Sequence, residues 1–149
     1  MSPFAGFINL HPFFVHAPIV LVPSAAIMVW LGRRIRKEGF DTATFLVTIA
    51  AALTALVALA SGLWASATVL HDGALAELVH KHQANGIALT AVTAVAALAA
   101  VAEWRGWVRR PIWWLRGALL TWAAIGVVFS AHNGATLVYL HGAAVVRSR

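Results

Sequence analysis

The chain has 149 residues, of which 61% are hydrophobic and 11% charged, with no cysteine and a formal net charge of +6. Soluble domains run about 45–50% apolar and about 25% charged, so no soluble core of this length could hide so much apolar surface. Secreted disulfide scaffolds, disordered tails and nucleic-acid-binding domains are excluded. The lack of cysteine also removes thiolate metal sites, iron–sulfur clusters and covalently attached c-type haem.

What remains is an all-α integral membrane protein, read as a single four-helix transmembrane domain over 1–149. A spanning helix needs about 20 mainly apolar residues. The chain predicts four, at 12–32, 42–69, 83–104 and 112–139. The run Arg33, Arg34, Arg36, Lys37, Glu38 leads to Gly39, which closes the first helix. His71-Asp72-Gly73 opens a loop with a short helical stretch at 74–81. Arg105, Arg109, Arg110 and Pro111 separate the third and fourth helices, with Pro111 at a first-turn position. Trp104, Trp107, Trp113 and Trp114 flank that loop as an interfacial aromatic belt does. The fourth apolar run continues past His132, which leaves its end open.

Eight basic residues fall on one side of this topology: Arg33, Arg34, Arg36, Lys37, Arg105, Arg109, Arg110 and Arg116. The positive-inside rule places them in the cytoplasm and both termini outside. Most of the +6 charge is therefore an orientation signal. Met1-Ser2-Pro3-Phe4 has no basic n-region, so no cleaved signal peptide is expected.

Seven histidines against five carboxylates is the unusual feature. His11 and His16 begin the first helix, His71 follows the second, and His80 and His82 precede the third. His132 lies near the end of the fourth helix and His141 beyond it. All seven thus fall on the side opposite the basic loops. Ionisable groups at membrane depth are functional candidates, and neutral imidazole is the usual ligand for haem iron, copper and zinc. Zinc takes four ligands in tetrahedral geometry, whereas haem needs two axial ligands, apolar walls and small residues near the macrocycle. Haem b leads, with copper or zinc as the alternative. Gly86, one turn from His82, and Gly134, two residues after His132, are the small residues suited to such an approach.

His80 and His82 stand about 200° apart around a helix, so only one can face the bundle. His82, immediately before the apolar run, is the inward one. His132 interrupts an apolar run and is expected to be buried. His16 lies between Pro12 and Pro18, with Pro23 below as a possible kink. The metal ligands are accordingly expected among His82, His132 and His16, with His71, His141 and His11 as further cofactor-binding candidates and His80 last. Gln83, Asn85, Asn133, Ser66 and Tyr139 could orient the ligating rings.

The segment His11-Pro12-Phe13-Phe14-Val15-His16-Ala17-Pro18-Ile19 resembles the "HPxxVHFPI" opening of domain of unknown function family 2231, a group of bacterial four-helix membrane proteins. The stretch from Leu78 to Ala88 is similar to the family's "LLxxHRxxGIA" segment, aligning His82 and Gly86 with its histidine and glycine. The stretch from Ala131 to Gly142 is similar to its "GHxGGxLVYxHG" ending. Departures are Ala17 for the usual phenylalanine and Ala131 and Ala135 for usual glycines; no histidine is lost. The resemblance implies a multi-pass protein of the bacterial inner membrane. It singles out His16, His82 and His132, with His11 and His141 behind. Such domains look like companions of cytochromes and respiratory enzymes.

The leading expectation is a small cytochrome b-like subunit that passes electrons between quinol and an external or complex-bound redox partner. It is read as an electron-transfer subunit more than an independent enzyme, serving one half of the membrane, since no histidine lies at the basic side. The alternatives are a non-catalytic anchor or assembly subunit of a respiratory complex and a copper- or zinc-binding membrane protein. A proton channel is disfavoured because the spans lack Asp, Lys and Arg away from their ends. No nucleophile–base–acid set for hydrolysis is visible.

Overall fold

The computed structural model describes residues 10–35, 37–68 and 74–140. Its helices are α1 (His11–Phe14), α2 (His16–Gly32), α3 (Phe40–Thr68), α4 (Ala74–Trp104) and α5 (Trp113–Tyr139). Four segments are long and apolar enough to cross a membrane: His11–Gly32, Phe40–Ala67, Leu75–Trp104 and Trp113–Tyr139. The four long helices form a square. α2 packs on α3 and α5, and α4 packs on the same two, so α2 and α4 face each other across one diagonal. The short α1 lies mainly against α3.

The helix boundaries have local causes. α1 and α2 form one span broken at Val15. Pro18 has no N–H to offer the Phe14 carbonyl, and its ring presses on that carbonyl, which loosens the turn at this point. Pro23, by contrast, sits inside α2 without ending it. Gly39 (φ 81°) opens α3, its carbonyl accepting from Ala43 N–H at 3.0 Å, and does not close the preceding helix. α4 begins at Ala74, nine residues before the start expected at Gln83. The segment Ala74-Leu75-Ala76-Glu77-Leu78 is built of strong helix formers, and Glu77 pairs with Lys81 at 2.6 Å one turn on. His80 and His82 therefore lie within a continuous helix. At its other end, Gly106 (φ 69°) completes a Schellman motif, with Gly106 N–H donating to Glu103 O at 3.1 Å and Trp107 N–H to Ala102 O at 2.9 Å.

The distribution of side-chain size is that of a helical membrane protein. The interior is mostly alanine and threonine, including Ala25, Ala51, Ala55, Ala96, Ala100 and Ala123, with Val22, Val29 and Leu120 filling the remainder. Large apolar residues such as Leu53, Trp64, Leu98, Trp122, Ile125 and Phe129 are exposed on the outside, where lipid tails are the solvent. Helices surrounded by lipid gain little from hiding leucine from their neighbours and more from close backbone approach. Interior hydroxyls are satisfied inside the protein: Thr48 donates to Thr44 O at 2.8 Å and Thr93 to Leu89 O at 2.7 Å within their own helices, and Thr90 donates across to Ala55 O at 3.5 Å.

Close approach is tight at two α5 glycines. A Cβ at Gly117 would stand 3.0 Å from the Trp30 ring and 3.2 Å from Val29, and one at Gly126 would collide with Leu89. At Gly86 a Cβ would meet only Leu59, at 3.9 Å. Gly117→Val is expected to destabilise the bundle by about 1–3 kcal/mol through overpacking, whereas Gly86→Ala is expected to be neutral or to stabilise it by up to about 1 kcal/mol. Unfolding in mixed micelles titrated with SDS checks both, and equal effects at the two positions would contradict the packing described.

Candidate functional site

The histidine end of the bundle brings two of the seven rings together. His11, from α1, and His82, from α4, lie with ring centroids 6.2 Å apart and planes at 77°. α1 extends the span of α2, so the pair closes one diagonal of the square. The other diagonal supplies the seats. Gly62 on α3 and Gly134 on α5 face the two rings, where a Cβ would stand 2.8 Å from Cε1 of His11 and 3.2 Å from Cε1 of His82. Each imidazole therefore rests on a glycine of a neighbouring helix.

Hydrogen bonding orients the His11 ring. Its Nδ1 lies 3.0 Å from Ser61 Oγ. The Ser61 hydroxyl donates its only proton to Ala58 O at 2.9 Å, so it accepts from the ring, and the proton on His11 is at Nδ1. Nε2 of the neutral ring is thereby the lone-pair nitrogen. For His82, the Ser130 backbone carbonyl is the acceptor facing the ring, while Nδ1 is fully buried without a hydrogen-bond partner. Buried polar atoms without partners are uncommon and call for an explanation.

The remaining histidines stand apart from this pair. His16, His80 and His132 are exposed. His132 was expected to be buried because it interrupts an apolar run, but that run faces lipid, and an interruption in a lipid-facing stripe does not point inward. His71 and His141 lie outside the described residues. His82 is the inward member of the His80/His82 pair, as the 200° separation requires. Gly134 meets the ring of His82, whereas Gly86 touches neither ring. Of the orienting residues expected, Gln83 donates instead to Ser66 between α4 and α3, and Asn85, Asn133 and Tyr139 are exposed. Sequence reasoning missed the inward turn of His11 and the roles of Ser61 and Gly62. The adjacent Ser-Gly in an otherwise apolar stretch of α3 was the available signal.

Metal–nitrogen bonds of about 2.0–2.1 Å, with each centroid about 1.2 Å beyond its nitrogen, put opposed rings on one metal about 6.4 Å apart and tetrahedral neighbours about 5 Å apart. The centroid separation of 6.2 Å is close to the first value. Among the described residues no group of three or more His, Cys, Asp and Glu could hold a metal ion.

The family described as a predicted membrane protein, DUF2231, matches residues 7–147. The chain belongs to this family. The match covers the His11 segment, all four spans and both glycine seats, so the His11–His82 diagonal lies within the DUF2231 domain. No curated protein and no solved structure matches the chain.

The tautomer assignment predicts that ¹⁵N NMR of the protein in micelles finds His11 protonated at Nδ1, and a ring protonated at Nε2 would contradict it. Gly62→Ala, which pushes a methyl group into the His11 ring, should displace the His11 resonances and leave those of exposed His16 and His80 in place.

Proposed function

We propose that this DUF2231 protein is a small membrane electron-transfer subunit that holds a b-type haem between His11 and His82. The observation that carries the reading is the diagonal imidazole pair at a separation suited to axial ligation, each ring seated on a glycine. When bound, the haem supplies reversible one-electron chemistry.

The chain's own residues have separate tasks. Ser61, itself bonded to the Ala58 carbonyl, holds the Nδ1 proton of His11 and makes Nε2 the nitrogen with the lone pair. A hydrogen-bonded outer partner of this kind fixes ring orientation and raises ligand basicity. For His82 the Ser130 carbonyl is the acceptor beside the ring, and the buried Nδ1 without a partner is the atom open to a ligand. Gly62 and Gly134 let the helices approach closely enough for both rings to meet. Of the ligands expected among His82, His132 and His16, this reading keeps His82 and prefers His11 to His132 and His16, which are exposed.

All histidines lie away from the basic loops in the sequence, so a single haem at this end serves one membrane face. A quinol in the adjoining lipid and a redox protein at that surface are the donor and acceptor classes that fit such a position. The positive-inside rule makes that face the outer one, in a bacterial inner membrane.

The test is a visible spectrum of the detergent-purified protein, oxidised and reduced, with iron measured in parallel. A Soret band that shifts on reduction is expected. His11→Ala and His82→Ala should each abolish or displace it, while His80→Ala and His132→Ala should leave it unchanged. Absence of both band and iron would sink the haem reading, and dependence on His132 with indifference to His11 would overturn the ligand pair.

A further inference from the structure

At the opposite end of the bundle, a half-open cavity of about 720 Å³ lies among the ends of α2 and α4 and the starts of α3 and α5. We propose that it binds the phosphate-bearing headgroup of an anionic membrane lipid. Arg33, Lys37, Arg109 and Arg116 line it, against the carboxylates Glu38, Asp41 and Glu103. Glu103 is already committed: Oε2 pairs with Arg116 Nη1 at 2.9 Å, and Oε1 accepts the Ile112 N–H at 2.6 Å, which ties the α4–α5 loop to the start of α5. Arg34, Arg105 and Arg110 add further positive charge to the two loops at this end.

Two features point to a ligand. The guanidinium of Arg116 spends one side on Glu103, while its Nε–H is buried with no partner. A buried, charged donor left unmatched is costly, and a turn of the Arg116 side chain towards an anionic oxygen in the cavity would satisfy it with a charge-assisted bond. Arg33 is held over the Trp113 ring, 4.5 Å from its centroid, a contact that fixes a second guanidinium at the cavity wall.

The inner wall decides between a lipid and a soluble anion. Met28, Val29, Phe45 and Ala100 carry the cavity into the span, below the cationic rim. A free phosphate would leave that apolar surface uncovered, whereas a lipid places its charged head at the rim and its glycerol and acyl carbons against the wall. Exposed Trp104, Trp107 and Trp114 set the headgroup level at this end. Basic pockets between membrane helices at that level suit anionic headgroups.

The test follows thermal unfolding of the full chain in a neutral detergent with phosphatidylglycerol, phosphatidylcholine or inorganic phosphate added. Stabilisation by phosphatidylglycerol alone supports the proposal. Equal stabilisation by phosphatidylcholine would overturn it, and a full effect from inorganic phosphate would overturn the lipid in favour of a free anion. Arg33→Gln and Arg109→Gln are each expected to weaken phosphatidylglycerol binding roughly fivefold. Arg116→Lys, which retains a cation for Glu103 but removes the Nε–H, should weaken it likewise. Unchanged affinity in all three would overturn the site, and a variant that fails to fold leaves the comparison of the three additives on the unmodified chain decisive.

Discussion

The exclusion of water from the bilayer interior governs the rest of the structure. Backbone and hydroxyl groups in the spans must be satisfied inside the protein, which Thr48 and Thr93 do by bonding back to their own helices. With lipid outside, packing favours small residues between helices and large ones on the perimeter, and the alanine interior and leucine- and tryptophan-rich surface follow that rule. Close packing also makes the histidine pair possible. Helices related across a square touch little, yet the His11 and His82 rings come within 6.2 Å because glycines stand on both flanking helices.

Much of this was legible in the sequence. The four apolar runs gave the spans, and helical periodicity separated His82 from His80. The inward face proved harder to read, for a physical reason. In a soluble helix the apolar stripe marks the interior; in these spans every face is apolar, so a polar residue such as His132 can interrupt the lipid face as readily as the core. His11 stands behind His82, His132 and His16 in the sequence reading, but the turn at Val15, loosened by Pro18, carries it against α3. The helical stretch at 74–81 was legible, but not its continuity with the span: the residues from Ala74 onward favour helix strongly enough to run on through His82 into α4.

The two ends of the bundle divide the chemistry. One gathers two imidazoles seated on glycines, where we propose a haem. The other gathers guanidinium groups, aromatic rings and an internal ion pair, where we propose a lipid headgroup. The Glu103–Arg116 pair belongs to the second end and holds the α4–α5 connection in place. Both ends follow from the same sequence arrangement, in which basic residues fill the loops on one side and histidines the other.

The angle between the two rings makes the central claim open to one direct measurement, the low-temperature electron paramagnetic resonance spectrum of the oxidised protein. Two imidazoles on a ferric haem produce a low-spin centre, and planes 77° apart predict the strongly anisotropic form characteristic of near-perpendicular ligands. A high-spin signal from the purified protein, or a sample devoid of iron, would contradict axial ligation by His11 and His82.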